Sequence, residues 1–278
     1  MKLTILGTGN ALVADCYNTC FVISDDSANT QMVDDKGNTK YFMVDAGGGN
    51  GILTQLKAAG INWMDVRHIF VTHKHLDHIM GIIWMVRMIC QHMRSGKYEG
   101  EAWIYGHQEV VDLVRTISSA LIQAKDIAML DNRLHLVVVE DGESMDIIGH
   151  KVTFFDIGST KAKQFGFSMI LNDTEKLTCC GDEPFCEIER DYAYGSKWLL
   201  HEAFCLYSER DTFKPYEKNH STVKDACELA STLNVPNVVL YHTEEKNLKN
   251  RRELYTAEGK QYYDGNIFVP YDLDVIEL

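Results

Sequence analysis

The chain has 278 residues, 45% of them hydrophobic, and a formal net charge of -13 from 40 acidic and 27 basic side chains. That length and apolar content allow a large buried core and exclude a disordered chain, while the acidic balance makes long nonspecific tracking along nucleic acid unfavourable. Eight cysteines are scattered without a CxxC framework, which points to reduced thiols. The apolar segment at Met1 to Gly7 is too short for a secretory leader, so a cytoplasmic protein is expected.

In chain order, Leu3 to Leu6 reads as a strand closed by Gly7-Thr8-Gly9-Asn10, where the third glycine of a dinucleotide fingerprint is missing. Cys20 to Ile23 and Lys40 to Val44 read as strands around a polar excursion, Ser24 to Thr39, and Asp45-Ala46-Gly47-Gly48-Gly49 closes the second. Asn50 to Ala59 is a short helix stopped at Gly60. Val66 to Val71 is a buried strand, and Ile79 to Met93, interrupted by Arg87 and shorter than the roughly 20 residues of a membrane span, is a helix packed on several sides. A methionine-rich partner surface is the alternative for that helix. Glu101 to Tyr105 is a further strand and Glu109 to Leu130 a long helix.

From Leu134 onward strands dominate: Leu136 to Val139, Met145 to Ile148, Val152 to Phe155, Phe167 to Leu171, Leu177 to Cys180, Trp198 to Phe204, Asn237 to Tyr241 and Ile267 to Ile276. Helices are expected at Val223 to Leu233 and Glu244 to Glu258. With no internal repeat and no proline-rich linker, the series predicts an α/β (α+β) chain of two sheets packed face to face with helices outside, in one domain spanning residues 1–278.

Between the strand at 66–71 and the apolar helix lies Thr72-His73-Lys74-His75-Leu76-Asp77-His78. Three imidazoles and a carboxylate in one loop are most simply a metal site. His73 and His75, one residue apart, can converge on one ion, and Asp77 and His78 point at a second nearby. Two ions need more ligands than one loop supplies, and three strand ends offer them: Asp182 after a glycine turn, His242 after Val238 to Tyr241, and Asp156 after Val152 to Phe155. An aspartate after a strand is commonly a turn former, so each gains weight only beside the loop.

THKHLDH resembles the HxHxDH signature of the metallo-β-lactamase superfamily, and further motifs resemble its ribonuclease Z branch: LGTGNA at Leu6 to Ala11, CCGDEP at Cys179 to Pro184, LLHEAF at Leu199 to Phe204, NHST at Asn219 to Thr222 and LYHTEEKNLKNR at Leu240 to Arg251. The resemblance implies a four-layer αββα sandwich, a first metal held by His73 and His75, a second by Asp77, His78 and His242, and Asp182 bridging them. Where that branch carries a third histidine for the first metal, this chain offers Asp156, with His150, His135 or His107 as alternatives. Zinc is expected, and a carboxylate there favours manganese or iron more than a third imidazole would.

Such a centre lowers the pKa of a bridging water, so the reaction class is hydrolysis. Asp77 is placed to ligate and orient the nucleophile. The resemblance assigns His201, beside Glu202, to protonating the leaving group, whereas His220, before Ser221 and Thr222, reads as a helix cap or a substrate contact. His68, inside a strand, reads as structural. No basic excursion interrupts Tyr105-Gly106-His107 before the following helix, so a small phosphodiester such as a cyclic nucleotide is favoured over long RNA. A carbonyl-centre hydrolase acting on a lactone, thioester or β-lactam and a non-catalytic metal-binding sensor are the competing readings. No membrane partner is expected, and the resemblance implies a homodimer.

Overall fold

A computed structural model describes residues 1–25 and 41–278. Most of the polar excursion expected at Ser24 to Thr39, and Lys40 ahead of the second strand, lie outside them. Among the described residues fourteen strands form two seven-stranded mixed sheets. The first is built from β1 (Lys2–Gly7), β2 (Cys20–Ser24), β3 (Tyr41–Val44), β4 (Val66–Phe70), β5 (Ala102–Gly106), β6 (Leu134–Val138) and the distant β14 (Val275–Glu277), in the order β14-β1-β2-β3-β4-β5-β6. The second holds β7 (Ser144–Ile147), β8 (His150–Asp156), β9 (Phe165–Ile170), β10 (Lys176–Cys179), β11 (Trp198–Glu202), β12 (Asn237–Tyr241) and β13 (Asn266–Phe268), in the order β13-β12-β11-β10-β9-β8-β7. In each sheet an antiparallel set gives way to a parallel one, β3 through β6 in the first and β10 through β13 in the second.

The helices are α1 (Gly51–Ala58), α2 (Leu76–Arg94), α3 (Gln108–Leu121), α4 (Ala124–Ile127), α5 (Arg190–Ala193), α6 (Arg210–Phe213), α7 (Val223–Thr232) and α8 (Arg251–Gly259). Alternate residues of each strand face opposite sides of a sheet. One set meets between the sheets, where Phe42 and Phe70 of the first sheet set their rings edge-on against Phe167 of the second, at 5.4 and 5.9 Å. The other set packs under α1 to α4 on the first sheet and under α7 and α8 on the second. The result is the expected αββα layering. Ile79, Ile82, Met85, Val86, Ile89 and Met93 of α2 are buried in this core, so they are core residues and not a partner surface. Gly81 lets that helix approach the chain after β3: a Cβ there would lie 1.8 Å from the Ala46 carbonyl oxygen.

Three elements differ from expectation. The helix read over Glu109 to Leu130 breaks at Ile122 and Gln123, both in extended conformation. The strand read over Ile267 to Ile276 is two strands in different sheets, parted by Pro270 and by Leu273 at φ 72°. The helix read from Glu244 begins only at Arg251, because the Glu244 carboxylate folds back on Asn247. No helix among the described residues is long and apolar enough to cross a membrane.

Candidate metal centre

β4 delivers the chain into Val71 and Thr72, and the next residues stay extended until His75, the residue before the first turn of α2. Extended backbone places His73 and His75 on one side, and the helical turn then presents Asp77 and His78. From the second sheet, Asp182 follows β10 through Gly181 at φ 76°, and His242 ends β12 with its own backbone at φ 56°. These groups gather beyond the carboxyl ends of parallel strands, where open sheets place their clefts.

Two ligand groups result. Asp77, His78, Asp182 and His242 form one, and His73, His75 and Asp182 the other, with the ligand atoms of each within 4.8 Å of one another. One oxygen of the shared carboxylate, Asp182 Oδ2, lies 3.1 Å from His78 Nε2, 3.4 Å from His242 Nε2 and 3.6 Å from His73 Nε2. Asp77 Oδ2 is 3.3 Å from His78 Nε2, and His73 Nε2 faces His75 Nδ1 at 2.8 Å. His78 Nε2 is buried without a hydrogen-bond partner. Imidazole nitrogens converging on one buried carboxylate oxygen are the donor set of a divalent cation, and the residues fit one.

The far sides of the imidazoles are fixed. His78 Nδ1 meets Asp45 Oδ2 at 2.7 Å, Asp45 Oδ1 accepts from the Thr72 backbone N–H, and the Thr72 hydroxyl lies 3.0 Å from His73 Nδ1. His242 Nδ1 meets the Thr19 hydroxyl at 3.2 Å. Such outer partners orient metal-binding histidines. The buried Arg251 ties the adjoining loops together, bonding to the Thr8 and Thr243 hydroxyls and to the Pro270 carbonyl. Burial holds the His73 imidazole well below its ordinary value and lowers His242 to about 4. Against the burial that opposes its charge, the imidazoles of His73, His242 and His78 together hold the Asp182 carboxyl well below its ordinary value. Neutral His73 and His242 and an ionised Asp182 are the states metal ligation requires, whereas His78, held well above its ordinary value, would give up a proton to an ion.

A cleft of about 520 Å³ opens over the cluster, lined by His75, Asp77, Asp182 and His242 together with Leu12, Leu76, Lys161, Glu183, Lys218 and His220. His220 is stacked on Phe204 with ring centroids 4.8 Å apart, and its Nδ1 lies 3.2 Å from Glu202 Oε2. Burial pushes the Glu202 carboxyl up to about 7, and the nearness of Glu202 raises His220 against the effect of burial, while His220 Nδ1 lies 3.0 Å from the Asp182 carbonyl oxygen.

Two expected residues do not reach this cleft. His201 is buried, with Nδ1 2.8 Å from the Glu202 carbonyl. On β11 Leu200 and Glu202 point between the sheets, whereas Leu199 packs under the outer helices, and His201 shares the Leu199 side. Asp156 ends β8 as expected but lies outside both ligand groups; its Oδ1 accepts from the Gly158 N–H, closing a turn, and Lys163 stands 4.0 Å from its Oδ2. The alternatives do not take its place. His107 packs on Phe165, His135 faces Glu101, and His150 bonds to the Ile170 carbonyl and Asp25. His68 bonds to the Tyr105 hydroxyl and stacks on Trp103, a structural role.

Several residues of the site escaped the sequence reading. Asp45 carried a signal like that of Asp182, a carboxylate at a strand end beside a glycine turn. Thr19, Thr72, Gln164 and Glu183 carried none that separates them from ordinary polar residues.

Residues 1–261 match the family described as Anti-Pycsar protein Apyc1. Ribonuclease Z from Thermococcus sibiricus is 23% identical over 271 residues, covering 83% of this chain and 85% of that protein. Among solved structures, the metallo-β-lactamase fold protein YhfI from Bacillus subtilis superposes with a TM-score of 0.74 at 14% identity, over 99% of both chains. The short form of human tRNase Z gives 0.71 at 20% identity, over 100% of this chain and 99% of that one. The fold is therefore the metallo-β-lactamase sandwich.

Proposed function

This chain belongs to the family of the anti-Pycsar protein Apyc1, and from that premise we propose that it is a two-metal hydrolase of small phosphodiesters. The observation that carries the reading is the pair of ligand groups sharing Asp182 at the floor of a cleft whose wall holds His220, with the buried Glu202 behind it.

His73, His75 and Asp182 would hold one divalent cation, and Asp77, His78, Asp182 and His242 the other. When bound, such ions supply an activated water and neutralise charge on the phosphoryl group. Asp77, at the mouth of the loop, orients the attacking group. His220 gives its proton to the departing oxygen, and Glu202 keeps that imidazole turned to the cleft and charged until then. Imidazole and carboxylate donors fit zinc, and with Asp156 turned away the case for manganese or iron weakens.

A small substrate suits the cleft. Its mouth carries Lys161 and Lys218 against a chain charge of -13, and β5 passes to α3 through His107 alone, without an inserted basic arm. A cyclic nucleotide or short nucleotide end meets two lysines and a metal floor, whereas a long RNA needs a basic track. The test is turnover of a panel: bis-p-nitrophenyl phosphate, cyclic mononucleotides, precursor transfer RNA, a lactone and a β-lactam. Cyclic nucleotide and bis-p-nitrophenyl phosphate cleavage, abolished in Asp182→Ala together with bound metal, is expected. Turnover of the lactone without any phosphodiester activity would overturn the proposal, and so would a metal-loaded protein inert on the whole panel.

A further inference from the structure

The two halves of the centre are unequal in ways that do not depend on substrate. Asp77, His78, Asp182 and His242 give four ligands, all buried. His73, His75 and Asp182 give three, and His75 is only half-buried, facing the cleft. The first set is also better anchored from behind, by Asp45 on His78 and Thr19 on His242, whereas the His75 ring has His73 as its hydrogen-bonding neighbour among the described residues. In the second half the remaining two ligands meet one neutral side chain. The buried Gln164 amide donates to Asp182 Oδ1 at 2.6 Å and lies 3.0 Å from His73 Nδ1, and its own Oε1 has no hydrogen-bond partner.

We propose that the centre loads in order: a tight ion in the Asp77/His78/Asp182/His242 half, then a weaker, exchangeable ion in the His73/His75/Asp182 half, with Gln164 as the positioning residue of the second. The physical basis is ligand number and anchoring. A three-ligand half leaves a coordination position open to the cleft, and a ligand without an outer partner must be ordered at the moment of binding. By holding Asp182 Oδ1, Gln164 keeps Oδ2 turned toward His73, His78 and His242, so loss of the amide frees the shared carboxylate to rotate away from His73. The catalytic state then depends on free metal concentration over the range where the weak half fills.

This inference rests on the two-metal reading, and the test separates the two. Chelator-stripped protein is dialysed against buffered Zn²⁺ at increasing free concentration, and bound metal is counted by mass spectrometry. Two steps separated by roughly tenfold or more in free zinc are expected. His75→Ala removes the weak step and keeps the tight one. Gln164→Leu moves the weak step to roughly 10- to 100-fold higher zinc, with the tight step shifted less. Two equivalents taken up in a single step, or His75→Ala losing the tight step first, overturns the ordering while the two-metal function stands. One equivalent at saturation overturns both. A weak step unmoved in Gln164→Leu overturns the role given to Gln164.

Discussion

Two histidines nineteen residues apart, His201 and His220, show how the side of a strand decides chemistry. His201 sits on β11 with its ring toward the outer helices, and His220 leans over the cleft on Phe204 with Glu202 behind it. His220→Asn is expected to lower kcat by about 10²- to 10⁴-fold, the usual worth of a positioned acid, with bound zinc unchanged; His201→Asn should turn over close to wild type. Steady-state kinetics alongside metal counting decides it, and an equal loss in a folded His201→Asn would return the proton to His201. The loop Thr72 to His78 was legible because its ligands are contiguous, and Asp182 and His242 because each ends an apolar run. Asp156 showed the same sign and misled, since a strand end does not say whether its carboxylate turns inward or closes on Gly158. For the HEAF and NHST segments the motifs were legible but not the roles within them. Which of His201 and His220 faces the cleft depends on a register that only the packed sheet defines.

Among the elements, the 3₁₀ turn Glu187–Glu189 carries a buried acid whose pH behaviour can be isolated. Glu189 Oε1 accepts from the Cys186 N–H at 2.8 Å, and burial pushes its carboxyl up to about 8 from 4.5. Because the folded state binds this proton more tightly than the unfolded chain, the contribution is fully present below pH 4.5 and is lost as pH rises to 8 and beyond. Glu189→Gln keeps an oxygen for the Cys186 N–H and removes the titration. Relative to wild type the variant should gain stability between pH 5 and pH 9, on the order of 1–3 kcal/mol, read from urea unfolding at both values. Parallel pH dependences in the two proteins would reject the buried acid as the cause. Short apolar runs located nearly every strand, because period and length are local. The missed boundaries had non-local causes: whether Val275 to Glu277 extends β13 or crosses to pair with β1 is decided by the other sheet, and nothing between Glu109 and Leu130 marks the break at Ile122.

At the scale of the whole molecule a loaded centre would also cross-link the sheets. His73, His75, Asp77 and His78 hang from the first sheet and Asp182 and His242 from the second, so an ion held by both would add to the side-chain packing and to backbone hydrogen bonds such as Phe165 N–H to the Thr72 carbonyl that already join the layers. In its absence the same residues leave buried carboxylates and a buried imidazole whose charges must balance one another. Against its burial, Asp77, Asp45 and Asp182 hold His78 well above its ordinary value, so an ion bound there would displace a proton. Metal binding should therefore appear as folding stability. Zinc at a thousandfold excess over its dissociation constant adds about 4 kcal/mol by mass action, which for a chain of this size corresponds to a rise in Tm on the order of 10 °C. Thermal unfolding of the protein stripped with a chelator and then resupplied with Zn²⁺ measures the increment, and Asp182→Ala, which removes the shared ligand, should lose it while retaining the folded baseline. If stripped and resupplied wild-type protein melt together although zinc is bound, the ion does not join the two sheets, and the site would have to lie wholly within the Thr72 to His78 loop.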